Sequence, residues 1–256
     1  DYDGVLAQVP VFPYTATVFD GHVRATTQAG DGWIPPAKIA LIAKEVRRQC
    51  DALDGIEDGL VSNYMACDRR FDPAITPRPF DKVRCADGKD TGETCLSDAQ
   101  IAAANAVHAP IRFPFPLHKG WTSMPGWPTG SESTSNWKTL PRATEPATPI
   151  TGTLALLVKD PNATMLGVNL ARYQKEIQAY SAMADATDPD LSAFQRRGGK
   201  LVMKVNTTDY TVNPRGIYAY YDRVVATMGQ PSVDAFVRFY VGVGIFHNRN
   251  VGRDPL

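Results

Sequence analysis

Runs of the kind that build a buried α/β sheet occur only at the two ends of this chain, and that split constrains its architecture more than any other feature. Gly4 to Pro10 (GVLAQVP) is a short apolar run closed by a proline, the pattern of a strand covered on both faces. Toward the other end, Leu191 to Arg197 reads as a short helix stopped by Gly198-Gly199. Lys200 to Val205 then reads as a strand, Pro214 to Met228 as a helix, and Phe236 to Val243 (FVRFYVGV) as a second strand. Strand, helix and strand joined by short loops imply parallel pairing through a right-handed crossover. The expected class is therefore α/β, with core pieces at 1–11 and 190–256 and a large inserted region, 12–189, covering a cleft between them.

The insertion has a different grammar. A helix is expected from Pro35-Pro36, because Ile39, Ile42, Ala43 and Val46 recur at helical spacing. A second is expected from about Asp98 to Val107, with Ser97 as N-cap and Gln100 at the capping-box position. From Pro110 to Pro149 the chain is dense in Pro, Gly, Ser, Thr and Trp and reads as irregular structure. It is too aromatic for a disordered linker: Phe113, Phe115, Trp121, Trp127 and Trp137 require burial or a ligand.

All four cysteines, Cys50, Cys67, Cys85 and Cys95, fall in one polar stretch of the insertion. None forms a C-x-x-C or lies at zinc-finger spacing from a histidine, which argues against a zinc site. Disulfides fit better and imply an oxidising compartment, secreted or periplasmic; four reduced thiols are the alternative.

Charge is balanced, with 27 basic and 27 acidic residues. Such a chain has no long-range field to gather nucleic acid or anionic lipid, so neither is expected as a partner. No apolar run approaches the roughly 20 residues of a spanning helix.

Two places carry chemistry. Cys50 to Leu60 holds four carboxylates in eight residues, Asp51 to Asp58, around two Asp-Gly turns. Carboxylates this close repel unless a cation screens them. Asp51, Asp54 and Asp58 can offer side chains, and Ile56 and Leu60 can turn carbonyls inward, toward the about six to eight oxygens a hard cation takes. The spacing is not that of an EF-hand, and a solvated acidic turn stands as the alternative.

The second place is a pair. Asp209 follows the strand ending at Val205, and His247 follows the strand ending near Val243. Sites in open α/β sheets form at the carboxyl ends of strands. Asp and then His, each after a late strand, is the chain order of α/β-hydrolase triads, where the nucleophile comes first. A helix N-cap Asp and a core His are the alternatives. No G-x-S-x-G occurs. The nearest run, Gly130-Ser131-Glu132-Ser133, lies in the irregular insertion rather than on a strand-to-helix elbow. His22, His108 and His118 read as structural.

At these residues the chain resembles the tannase and feruloyl esterase family. The matching runs are Asp1 to Val5, Cys50 to Gly55 with Asp58 to Leu60 and Cys67, Cys95 to Gln100, Thr129 to Glu132, and Asp190 to Phe194 with Arg197 to Leu201. The resemblance implies a partial α/β-hydrolase core interrupted by a disulfide- and calcium-containing lid. It implies bridges Cys50–Cys67 and Cys85–Cys95, a structural calcium on Asp51, Asp54, Asp58 and the carbonyls of Ile56 and Leu60, and Asp209 and His247 as two members of a Ser-Asp-His triad. The serine is expected upstream or on a second chain, which leaves the 256 residues inactive alone. Asn248 stands where many members have a cysteine, and Lys204 to Thr208 replaces a His-Gly-Trp-like run.

The expected activity is hydrolysis of small aromatic acid esters, with Trp121, Trp127 and Trp137 as candidate ring contacts and core packing as their alternative. A non-catalytic calcium-binding fragment or degenerate relative is the competing expectation.

Overall fold

The structure, a computed structural model, describes residues 2–72, 74–76, 78–132, 149–209 and 211–247. Trp137, Ser133 and Asn248 lie outside them.

Three parallel strands form the sheet, β1 (Gly4–Gln8), β4 (Lys200–Asn206) and β5 (Val237–Gly242), in the order β1-β4-β5. Gly4 pairs with Lys200 and Gln8 with Lys204; Leu201 pairs with Val237 and Asn206 with Gly242. Residues 9–199 thus intervene between two adjacent strands. The helix crossing from β4 to β5 is α8 (Pro214–Met228), which begins with proline in its first turn beneath Asn213, whose side chain accepts from the Arg215 N–H. Both features suit a helix start. α7 (Ser192–Arg196) precedes β4, and α9 (Gln230–Asp234) precedes β5.

The expected burial of β1 does not occur among the described residues. Leu6 is 69 % exposed and Val5 39 %. Val5 and Leu6 leave opposite faces of the strand, so neither face is fully covered there by described residues; β4 pairs with one edge of β1, and no described strand takes the other.

The inserted region packs in two parts. α1 (Ala16–Thr27), the hairpin β2 (Ile111–Leu117) and β3 (Trp121–Met124), α5 (Pro149–Val158) and α6 (Gln174–Ala184) share one hydrophobic core with β4, β5 and α8. α2 (Pro36–Cys50), α3 (Tyr64–Phe71) and α4 (Asp98–His108) build a second core around Ile39, Ile42, Val46, Phe71, Phe80 and Trp127. Two disulfides, Cys50–Cys67 and Cys85–Cys95, brace the second core. The latter closes a loop whose Asp90 meets the ammonium of buried Lys38 at 2.8 Å, and Lys38 also donates to Gln100 Oε1. A buried ammonium requires such partners. Gln100 at the same time completes the capping box with Ser97.

The hairpin corrects the expectation of irregular structure after Pro110. Ile111, Phe113, Phe115 and Leu117 face inward, while Arg112, Pro114 and Pro116 face out. The register shifts between Arg112 and Leu117, which spares the prolines from ladder hydrogen bonds they cannot donate.

α3 docks onto the start of α8. Asp68 pairs with the guanidinium of Arg215, and Tyr64 stacks on Tyr218 with centroids 6.0 Å apart. The disulfide-braced part is thereby attached to the helix that follows the Asp209 loop.

Candidate active site

Asp209 and His247 are brought together at the carboxyl ends of β4 and β5. Asp209 is fully buried, and its Oδ1 accepts from the N–H groups of Thr211 (2.8 Å) and Val212 (2.9 Å). Its Oδ2 lies 2.9 Å from His247 Nδ1, and Oδ1 lies 3.2 Å from the same nitrogen. A carboxylate can only accept, so Nδ1 carries the proton and the lone pair of a neutral ring is left on Nε2. His247 keeps 28 % of its side chain exposed. The arrangement can therefore take a proton at one edge of the ring while the other is held by a buried, backbone-anchored carboxylate.

The acidic loop closes beside this pair. Its end, Leu60, packs against the turn that leads to His247: a Cβ placed on Gly244 would lie 3.1 Å from Leu60 Cδ2. Within the loop, Gly55 (φ 93°) and Gly59 (φ 83°) make left-handed turns that other residues resist. Asp51 Oδ1 accepts from the N–H groups of Asp58 and Gly59, Asp54 Oδ1 from Ile56 and Asp58 Oδ1 from Leu60. The donor types suit a hard cation, but these carboxylates are turned onto the loop's own amides. Among the described residues no three His, Cys, Asp or Glu side chains gather closely enough to hold a metal ion.

The tryptophans lie elsewhere. Trp121 is 2 % exposed with the Arg223 guanidinium 4.7 Å from its ring centre. Trp127 is 3 % exposed, donates Nε1–H to buried Asp20 and carries Arg24 at 5.3 Å. Both indoles belong to the hydrophobic cores, and neither enters the site described above. Ser131 is also buried, with its hydroxyl donated to the Pro128 carbonyl, so it is not available as a nucleophile.

Sequence reading missed a buried acid–base contact behind this region. Glu132 is 1 % exposed and accepts from the Gly130 N–H; its Oε1 lies 3.5 Å from His108 Nε2, while His108 Nδ1 is bonded to the Trp127 carbonyl. Burial pushes the Glu132 carboxyl up to about 7. The same burial holds the His108 imidazole below its usual range.

Comparison with known proteins places these features in a family. A model of the tannase and feruloyl esterase family matches residues 1–253, and the chain belongs to that family. It is 28 % identical to an uncharacterised esterase of Agrobacterium fabrum across 96 % of this chain and 47 % of that protein. It is 27 % identical to mono(2-hydroxyethyl) terephthalate hydrolase of Piscinibacter sakaiensis across 82 % of this chain and 40 % of the enzyme. The crystal structure of feruloyl esterase B from Aspergillus oryzae shares its fold with a TM-score of 0.80 at 22 % identity, over 96 % of this chain and 47 % of that one. The chain spans about half the length of the relatives it matches.

Proposed function

We propose that this chain forms the Asp–His half of a serine carboxylesterase acting on small aromatic acid esters. The observation that carries the reading is the Nδ1-to-carboxylate contact between His247 and Asp209 at the ends of two adjacent parallel strands. His247 Nε2 removes the proton from a serine hydroxyl as that oxygen attacks the ester carbonyl. It then returns the proton to the departing alcohol, while Asp209 holds the tautomer and stabilises the imidazolium. Water repeats the sequence to release the acid.

The serine is assigned to an upstream segment or a second chain, since no serine elbow motif occurs in these 256 residues. Among the described residues β1 has one edge unpaired and Val5 and Leu6 exposed, which supports this, because a parallel sheet is stable when its faces and edges are covered. Similarity to proteins named feruloyl esterase and mono(2-hydroxyethyl) terephthalate hydrolase supports the aromatic acid class. The residues 12–189 act as the lid in this reading, and the two disulfides support a secreted or periplasmic setting.

The test compares hydrolysis of a methyl hydroxycinnamate by the 256-residue chain alone and by the protein that includes the serine-bearing segment. Turnover only in the second, abolished by His247→Ala, is expected. Turnover by the chain alone would place the nucleophile inside it. Absence of turnover in both would favour a non-catalytic binding role.

We also assign a structural calcium to Asp51, Asp54, Asp58 and the carbonyls of Ile56 and Leu60, supported by the oxygen-only donors and by the packing of Leu60 against the His247 turn. Calcium is expected to raise the melting temperature and a chelator to lower it, with Asp51→Ala indifferent to both.

A further inference from the structure

The strength of the Asp209–His247 contact depends on what holds the two loops in register, and one residue touches both. Asn206 ends β4, opposite Gly242 of β5, and is fully buried. Its backbone carbonyl accepts from the Asp209 N–H at 3.2 Å. Its side chain points the other way: Nδ2 donates to the Phe246 carbonyl at 2.9 Å, one residue before His247. The orientation of the amide is fixed by chemistry, because the reversed form would set two oxygens face to face.

Thr207 adds two bonds to the same loop. Its N–H donates to the Gly242 carbonyl at 2.9 Å, and its hydroxyl accepts from the Gly244 N–H at 3.0 Å. The His247 turn is thus held at 242, 244 and 246 from a single dipeptide. The fit requires glycine at 242, where a Cβ would come within 2.8 Å of Asn206 Oδ1.

We infer that Asn206, seconded by Thr207, is the positioning residue of the pair, fixing His247 to the strand end that also presents Asp209. The inference rests on the proposed esterase reading, since only there does ring placement set a rate. Asp209 is anchored by the Thr211 and Val212 amides as well, while Asn206 and Thr207 bond the backbone that leads to His247 at 242, 244 and 246.

The experiment reads the low-field Nδ1–H resonance of His247 by NMR in this chain, with circular dichroism to verify folding. The resonance is assigned by its loss in His247→Gln and should also vanish in Asp209→Asn. Asn206→Ala and Thr207→Val are expected to broaden or abolish it, while Thr207→Ser, which keeps the hydroxyl, retains it. If Asn206→Ala does not fold, the Thr207→Val and Thr207→Ser pair decides. A resonance unchanged in both Asn206→Ala and Thr207→Val, or lost equally in Thr207→Ser, overturns the positioning role. Persistence in Asp209→Asn would instead overturn the pair itself. In the serine-bearing protein, Asn206→Ala should lower kcat on the order of 100-fold with KM little changed, as a misplaced base does. An unchanged kcat would count against the role.

Discussion

His247 and Asp209 lie 38 residues apart in sequence, yet the imidazole Nδ1 is 2.9 Å from a carboxylate oxygen that no solvent reaches. The carboxylate accepts two backbone N–H groups besides the ring, so it stays aligned whether or not the ring is charged. In the serine-bearing protein, Asp209→Asn is expected to reduce kcat on the order of 10⁴-fold, because an amide can donate to Nδ1 and so favours the wrong tautomer. KM should change little. Steady-state kinetics on the parent and the variant checks this, and a loss confined to KM would mean that the pair binds rather than reacts.

This pair was legible in the sequence because strands announce themselves and sites follow their carboxyl ends. α8 was legible through Pro214, and α4 through Ser97 and Gln100, since caps and first-turn prolines are local signals. β2 was not, because Pro114 and Pro116 disguise an alternation that Ile111, Phe113, Phe115 and Leu117 carry in full. Sequence also cannot show which polar groups lose solvent. The Asn206 amide meets a carbonyl 40 residues away, and the buried Glu132 carboxyl faces His108 at the end of α4. The exposure of Leu6 is not legible for the converse reason: an apolar run states what a strand would bury, not what is there to cover it.

The Cys50–Cys67 bridge joins the end of α2 to α3, the helix that docks on Arg215 and Tyr218. It closes a loop of 17 residues that includes the acidic turn. A double Cys50→Ala, Cys67→Ala variant is expected to lose about 3 kcal/mol by the loop-entropy relation, and to melt about 6–12 °C lower for a chain of this size. Calorimetry measures it. An unchanged melting temperature would mean that residual structure already restrains the unfolded chain without the bridge.

Gly244 is constrained twice, by a left-handed φ of 66° and by Leu60, whose Cδ2 would lie 3.1 Å from a Cβ placed there. Gly244→Ala should cost about 1–2 kcal/mol from the backbone alone, with the Leu60 contact added to it. Because the turn leads directly to His247, hydrolysis by the serine-bearing protein should fall as well. A companion Leu60→Ala change should recover the packing share and leave the backbone share, which thermal melts on the single and double variants separate.

Glu132 gives the chain a pH dependence of defined sign. Burial raises its carboxyl to about 7, helped by nearby Asp68 and opposed by the amides of Gly130 and Glu132 and by Arg47. A folded state that holds a proton more tightly than the unfolded chain is favoured where both are protonated, below the ordinary value of 4.5. That advantage is lost as pH climbs from 4.5 to about 7, where the folded protein must keep a proton that the unfolded chain has released or else bury a charge. His108, facing Glu132 and held low by burial, acts oppositely: its contribution is present above the ordinary imidazole value and lost as pH falls below it. Glu132→Gln keeps the carbonyl acceptor for Gly130 and removes the titration. Its melting temperature relative to the parent should therefore rise by several degrees between pH 4.5 and 7, and His108→Gln should not reproduce that gain. A parent and variant that run parallel across this window would show that the buried carboxyl reaches water before it ionises.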